Sequence, residues 1–142
     1  MSAPDRTGAR ALLEGLLVEP GVALVQPLIE LERTRDLRVL VIGGRAYAAC
    51  WRNAAPGEFR SNVHLGGTME PAELDASTAE LAERSASAIG LTTCGVDLIE
   101  TTEGLRVLEV NGSPGIEGLE TATGRNVAGA MISSMVVDWG SC

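Results

Sequence analysis

Residues 105–115 read Leu-Arg-Val-Leu-Glu-Val-Asn-Gly-Ser-Pro-Gly. The apolar run from Leu105 to Val110 predicts a short strand, ended by Gly112, Pro114 and Gly115. Side chains on a strand alternate, so Val107, Glu109 and Asn111 are expected on one side. A carboxylate and an amide oxygen would then meet at a strand end. The adjacent glycines would let a ligand come close to the backbone. Oxygen donors of this kind suit a hard cation such as magnesium. That ion keeps several waters and binds through one or two carboxylates plus substrate phosphates.

A second acid lies just upstream. Gly95 to Ile99 predicts another apolar strand containing Asp97, and Glu100 to Gly104 is a short polar connection. The two runs make a hairpin. With Ile99 opposite Leu105, Asp97 faces Val107 and lies diagonal to Glu109. Diagonal neighbours are about 7–8 Å apart, within reach of shared metal ions. The bland alternative is a solvated hairpin face. Against it, both acids interrupt apolar runs.

Three further stretches carry polar chemistry. Arg60-Ser61-Asn62 offers a cation and two hydrogen-bonding side chains within the long loop Asn53 to Gly67. Arginine matches phosphate or carboxylate oxygens bidentately. Alone, the stretch would read as an ordinary surface loop. Asp36 and Arg38 share a strand face, where a surface ion pair would be worth little. His64 is a lone histidine in the same loop, and a structural or solvent role is the simpler reading. Gly66-Gly67 would suit a phosphate-cradling nest but is a weak signal.

The elements that must position these residues can be read along the chain. Ala9 to Val18 predicts a short helix with Leu12, Leu13, Leu16 and Leu17 as its stripe, stopped by Pro20-Gly21. Val22 to Val25 reads as a strand. Asp36 to Ile42, the Gly43-Gly44 turn and Arg45 to Trp51 form the clearest hairpin in the chain, with Tyr47 and Trp51 as packing residues. Asp75 would cap a helix over Ala76 to Ile89, with Leu81, Ala82, Ala86 and Ile89 facing the sheet and Gly90 as its stop. Asn126 would cap a last helix from Val127 to about Val137, packed through Val127, Met131, Met135 and Val136. Residues 111–123 read as loop. Two hairpins with helices between and after them predict an α+β architecture: an antiparallel sheet with helices packed on one face. The division expected is an N-terminal segment and short helix over 1–21 and a second unit over 22–142.

Bulk properties narrow the classes. Nearly half of the 142 residues are apolar, which supports a real core rather than disorder. A net charge of −8 argues against a general nucleic-acid binder. The chain has no lysine, so all its Lys/Arg charge is arginine. Cys50, Cys94 and Cys142 lack metal-ligand spacing and read as reduced thiols, which predicts a cytoplasmic protein. No apolar run is long enough to span a bilayer.

Taken in order, these motifs resemble the C-terminal part of ATP-grasp ligases, most closely the RimK-like ribosomal-protein glutamate ligase group. The resemblance rests on Asp36–Gly43, Gly57–His64, Gly66-Gly67, Gly95-Val96-Asp97, Leu108–Gly115 and Thr123-Gly124, and it covers roughly Val22 to Val137. It implies ATP and magnesium, or manganese in its place, as cofactors. Asp97, Glu109 and Asn111 match the family's metal ligands, with Glu109 bridging two ions. Arg60, Ser61 and Asn62 match its ATP-contacting loop, and Arg60 would stabilise the transferring phosphoryl group. Asp36 matches an ATP-contacting acid. Pro27 and Leu28 fall at the hinge whose backbone reads adenine, where the family pattern is Glu-Tyr. The implied reaction is ATP-dependent carboxylate–amine ligation through an acyl phosphate.

The implied partners are carboxylate and amine substrates, small or peptidic, with no nucleic acid and no membrane. A homo-oligomer is compatible with the family. Its N-terminal domain and lid, with their phosphate-binding lysines, have no counterpart here. The chain is therefore expected to be half of an ATP-grasp fold, as a fragment, a truncated reading frame or one half of a split enzyme, and to bind ATP weakly alone. The competing expectation is a non-catalytic nucleotide- or metal-binding module that needs a partner chain. A plain structural domain would leave Asp97, Glu109 and the Arg60 loop without a purpose.

Overall fold

The computed structural model describes residues 3, 5–16, 25, 26, 29, 35–55 and 67–139. The chain forms two compact units, Met1–Glu30 and Leu31–Cys142. In the first, helix α1 spans Arg6–Leu16 and starts three residues before the predicted Ala9. Its first turn is capped by the Asp5 carboxylate, which accepts from the Gly8 N–H at 2.8 Å. The predicted strand over Val22–Val25 lies outside the described residues apart from Val25, which is exposed and not in a strand.

The second unit is a five-stranded antiparallel sheet with helices on both faces. The strands are β1 (Arg35–Ile42), β2 (Arg45–Asn53), β3 (Thr68–Ala72), β4 (Cys94–Thr101) and β5 (Gly104–Asn111), in the order β3-β2-β1-β4-β5. The helices are α2 (Ala76–Ala88), α3 (Glu117–Thr123) and α4 (Val127–Trp139). β1 and β2 form the expected hairpin. Gly43 and Gly44 both hold positive φ, 58° and 75°, which a two-residue turn with both central residues left-handed requires.

Alternation along the strands makes two apolar layers. Leu37, Val39 and Val41 of β1 join Ala49, Cys94, Val96 and Leu98 against Ala82 and Ala86 of α2. Leu40 and Ile42 of β1 join Ala48 and Cys50 against Leu119 of α3 and Val127 of α4. We call these the α2 face and the site face. The α+β class and the antiparallel sheet are as the pattern predicts. The helices, however, divide between the two faces, because β1 is apolar on both sides over residues 39–42 and each side needs a cover.

Helix α2 begins where Asp75 predicts. The Asp75 Oδ1 accepts from the Thr78 N–H at 2.7 Å and the Ser77 hydroxyl at 2.8 Å, and the Thr78 bond holds the carboxyl below its ordinary range. Gly90 closes the helix at φ 73°, with the Leu91 N–H donating to the Ala86 carbonyl. Ile89 does not face the sheet; it falls after the last helical turn and is exposed. Asn126 caps α4 as expected, its Oδ1 accepting from the Gly129 N–H at 2.7 Å. Val127 and Met131 pack on the site face, whereas Met135 and Val136 are exposed. Among the described residues, the α4 side chains packed in this core lie in its first two turns.

Two elements were not visible as patterns. β3 is a five-residue edge strand holding Pro71, and α3 is a seven-residue helix within the stretch read as loop. Both are too short to show a period. α3 is fastened by Leu119, fully buried against the sheet. Leu98 fills the centre of the α2 face with no exposed surface. Leu98→Ala is expected to lower unfolding stability by about 2–5 kcal/mol, read by urea denaturation at constant m-value.

Candidate active site

Two β-bulges decide which side chains meet on the site face. The β1–β2 pairing runs Ile42↔Arg45 and Val41↔Ala46, then shifts to Leu40↔Ala48, leaving Tyr47 as the extra residue. Asp36 therefore lies opposite Arg52, and Arg38 opposite Cys50. The β4–β5 pairing runs Thr101↔Gly104, Ile99↔Arg106 and Leu98↔Val107, then shifts to Asp97↔Glu109, leaving Leu108 as the extra residue. Gly95 lies opposite Asn111.

This register corrects the expected one. Asp97 faces Glu109 directly rather than diagonally. Val107 pairs with Leu98, which belongs to the α2 face, so it does not share a side with Glu109 and Asn111. The cause is the bulge at Leu108, which interrupts the alternation between Val107 and Glu109. The two acids come closer in register than a regular hairpin would bring them.

β1 pairs with β4 through Arg38↔Asp97, so three strands converge on one spot. Arg38 donates to Asp97 twice, Nε to Oδ1 and a terminal nitrogen to Oδ2, both at 2.7 Å. Arg52 donates Nε to Asp36 Oδ1 at 2.6 Å and a terminal nitrogen to Asp97 Oδ2 at 2.7 Å. Asp97 is 2% exposed and Asp36 6%. These are buried, hydrogen-bonded charges. The expected surface ion pair between Asp36 and Arg38 is thus replaced: each pairs with a residue of a neighbouring strand, because the pleat turns both into the same layer as Arg52 and Asp97.

Sequence pattern does not single out Arg52, and it gives Arg38 only a surface ion pair with Asp36. The available signal was two arginines placed among apolar residues of a hairpin. Burial is the strongest single influence on the Arg52 guanidinium and pulls its pKa down. The hydrogen bond to Asp36 and the charge of Asp97 outweigh it and leave the pKa raised.

Glu109 is exposed at the edge of this layer, and Asn111 is half-buried. The Asn111 Oδ1 accepts from the Ser113 N–H at 2.9 Å, a local turn that fixes the side chain at the strand end. Gly95 sits between them and the arginines. A Cβ there would lie 3.1 Å from Pro114 and 3.4 Å from Arg38, a tight fit in which the Pro114 turn or the guanidinium would have to give by a few tenths of an ångström. Among the described residues, no three His, Cys, Asp or Glu side chains form a metal cluster. The oxygen set is Asp97, Glu109 and the amide of Asn111. Pro27, Leu28, Arg60, Ser61, Asn62 and His64 lie outside the described residues.

A model of the RimK-like ATP-grasp domain matches residues 1–135. The chain belongs to this family. Curated relatives carry the name probable alpha-L-glutamate ligase. The one from Rhodopirellula baltica is 47% identical over 127 residues, covering 89% of this chain and 31% of the relative. The one from Thioalkalivibrio sulfidiphilus is 43% identical over 131 residues, covering 92% of this chain and 44% of the relative. The chain thus spans less than half the length of these relatives. Among solved structures, a RimK-domain ATP-grasp protein from Sphaerobacter thermophilus superposes with a TM-score of 0.58 at 24% identity, over 94% of this chain and 45% of the other. The ATP-grasp ligase PsnB, solved with Mg and ADP, gives 0.61 at 24% identity over 76% and 33%. Likeness at this identity establishes the shared ATP-grasp fold. Among the described residues of this RimK-like domain, no helix is long and apolar enough to cross a membrane.

Two predictions follow from the buried network. Arg38→Met removes the bidentate partner of a buried carboxylate and is expected to destabilise the domain by about 3–5 kcal/mol in urea unfolding. Cys50 lies beneath the same arginines. Burial pushes its thiol up from the ordinary 9.0 to about 11, and the Arg38 and Arg52 charges offset only part of that. Because the folded value is the higher one, the associated stability is complete below pH 9.0 and is lost as pH rises through about 11. Cys50 is expected to resist iodoacetamide at pH 8 in the folded protein and to react on unfolding, read by peptide mass spectrometry. Equal labelling in both states would contradict the burial.

Proposed function

We propose that this chain carries the nucleotide- and metal-binding half of an ATP-dependent carboxylate–amine ligase, with residues 22–142 as its ATP-grasp C-terminal subdomain. The observation that carries the reading is the direct pairing of Asp97 with Glu109, two pairs from Asn111, in a layer of largely buried arginines. The donors fit magnesium or manganese in kind, since all are oxygens. A carboxylate has about four acceptor positions. Asp97 spends three on Arg38 and Arg52, leaving one on Oδ1. Glu109 is exposed and free to bridge. When bound, magnesium would neutralise phosphate charge and align the reacting oxygens.

In the chemistry proposed, a substrate carboxylate oxygen attacks the γ-phosphorus of ATP. ADP leaves and an acyl phosphate forms. An amine then attacks the acyl carbon, inorganic phosphate leaves and an amide results. The relatives' names point to glutamate as one reactant. Little covalent help from protein groups is needed, and positioning with charge compensation supplies most of the catalysis. The family resemblance assigns Arg60 to the transferring phosphoryl group, Ser61 and Asn62 to ATP contact, Asp36 to the nucleotide, and the backbone of Pro27 and Leu28 to adenine. The share of the relatives' length covered here supports a working unit completed by an N-terminal ATP-grasp half. The free thiols of Cys50 and Cys94 support a cytoplasmic setting.

Calorimetry of MgATP binding, on this chain and on Glu109→Ala, tests the reading. Magnesium-dependent binding is expected in the first and a loss of about tenfold or more in the second. No binding by a chain shown to be folded would overturn it and favour a module that needs its partner chain to form any nucleotide site.

A further inference from the structure

Arg52 lies on β2, away from the stretches that carry the metal and nucleotide readings, yet it touches both. Its Nε meets Asp36 at 2.6 Å and a terminal nitrogen meets Asp97 at 2.7 Å. Asp36 is the acid assigned to the nucleotide side, and Asp97 is the acid assigned to the metal. A guanidinium is a rigid planar fork, so one such group can span two carboxylates only at one separation and tilt. All three side chains are largely buried, at 14%, 8% and 4% exposure. A rotation of Asp97 away from Arg52 would cost a largely buried guanidinium nitrogen its carboxylate contact, although Asp36 still pairs with the group. Arg38 holds the same carboxylate through both its oxygens. The acceptor position that remains on Oδ1 is therefore set by the two arginines.

We propose that Arg52 is a positioning residue that ties the nucleotide-side acid to the metal-side acid and holds Asp97 in its ligating orientation. The inference rests on the reading of Asp97 and Glu109 as metal ligands. It adds a coupling: disturbing Asp36, which is not among the proposed ligands, weakens metal binding through Arg52.

The test titrates Mn2+ alone into the full chain and into Glu109→Ala, Arg52→Lys and Asp36→Asn, read by water-proton relaxation, with a thermal melt for each. Lysine keeps the charge but is a point donor that cannot span both acids. Mn2+ affinity is expected to fall about tenfold in Arg52→Lys and in Asp36→Asn while both still melt cooperatively. A merely structural role would lower the melting temperature and leave the affinity of the folded variants unchanged, and that result overturns the proposal. Should Arg52→Lys fail to fold, Asp36→Asn decides alone. Failure of both to fold assigns Arg52 to the core and overturns it as well. No Mn2+ binding by the unmodified chain, or undiminished binding by Glu109→Ala, instead overturns the underlying site reading.

Discussion

Four charged side chains on three strands satisfy one another inside the sheet: Asp36 with Arg52, and Asp97 with both Arg52 and Arg38. Bringing any of them out of water alone would be prohibitive. Together they form a neutral set in which no buried side-chain polar atom of a described residue lacks a partner. Much of the local architecture answers to that condition. β1 must lie between β2 and β4, because its neighbours supply Arg52 on one side and Asp97 on the other. Glycine at 95 leaves room where Pro114 and Arg38 crowd the backbone.

The site face is divided along its length. Leu40, Ile42, Ala48 and Cys50 lie under α3 and the start of α4, while Asp36, Arg38, Arg52 and Asp97 occupy the other end. Cys50 marks the boundary, opposite Arg38 in the β1–β2 ladder. The apolar end anchors the sheet to its helices, and the charged end is left for chemistry. Rigid strands thus hold the acids from below. Glu109 and Asn111 stand at the end of β5, where the chain turns away through Ser113 and Pro114. A ligand site built on strands is set more tightly than one built on loops.

The bulges at Tyr47 and Leu108 make this possible. Continuing the regular count from the Gly43-Gly44 turn would place Asp36 opposite Trp51, whose side chain packs on the α2 face. Continuing it from Thr101↔Gly104 would place Asp97 opposite Leu108. One extra residue in β2 and one in β5 bring Arg52 and Glu109 into the site layer instead.

The hairpins, the Asp75 and Asn126 caps, the acids Asp97 and Glu109 and the ATP-grasp resemblance were all legible in the residues. Each is a local signal: a turn pair, a capping side chain, or a charge within an apolar run. The short β3 and α3 were not legible, because five or seven residues carry too little period and both are held by packing through Leu119 and its neighbours. Nor were the helices' division between faces, the opposition of Asp97 to Glu109, or the role of Arg38 and Arg52. Those depend on register, and a single bulged residue exchanges the two faces of a strand without altering its composition. Residue order alone settles which chemical groups are present and in which elements. Which of them meet is settled in the folded sheet, because pairing across strands is a non-local choice made by the joint burial of charge and apolar surface.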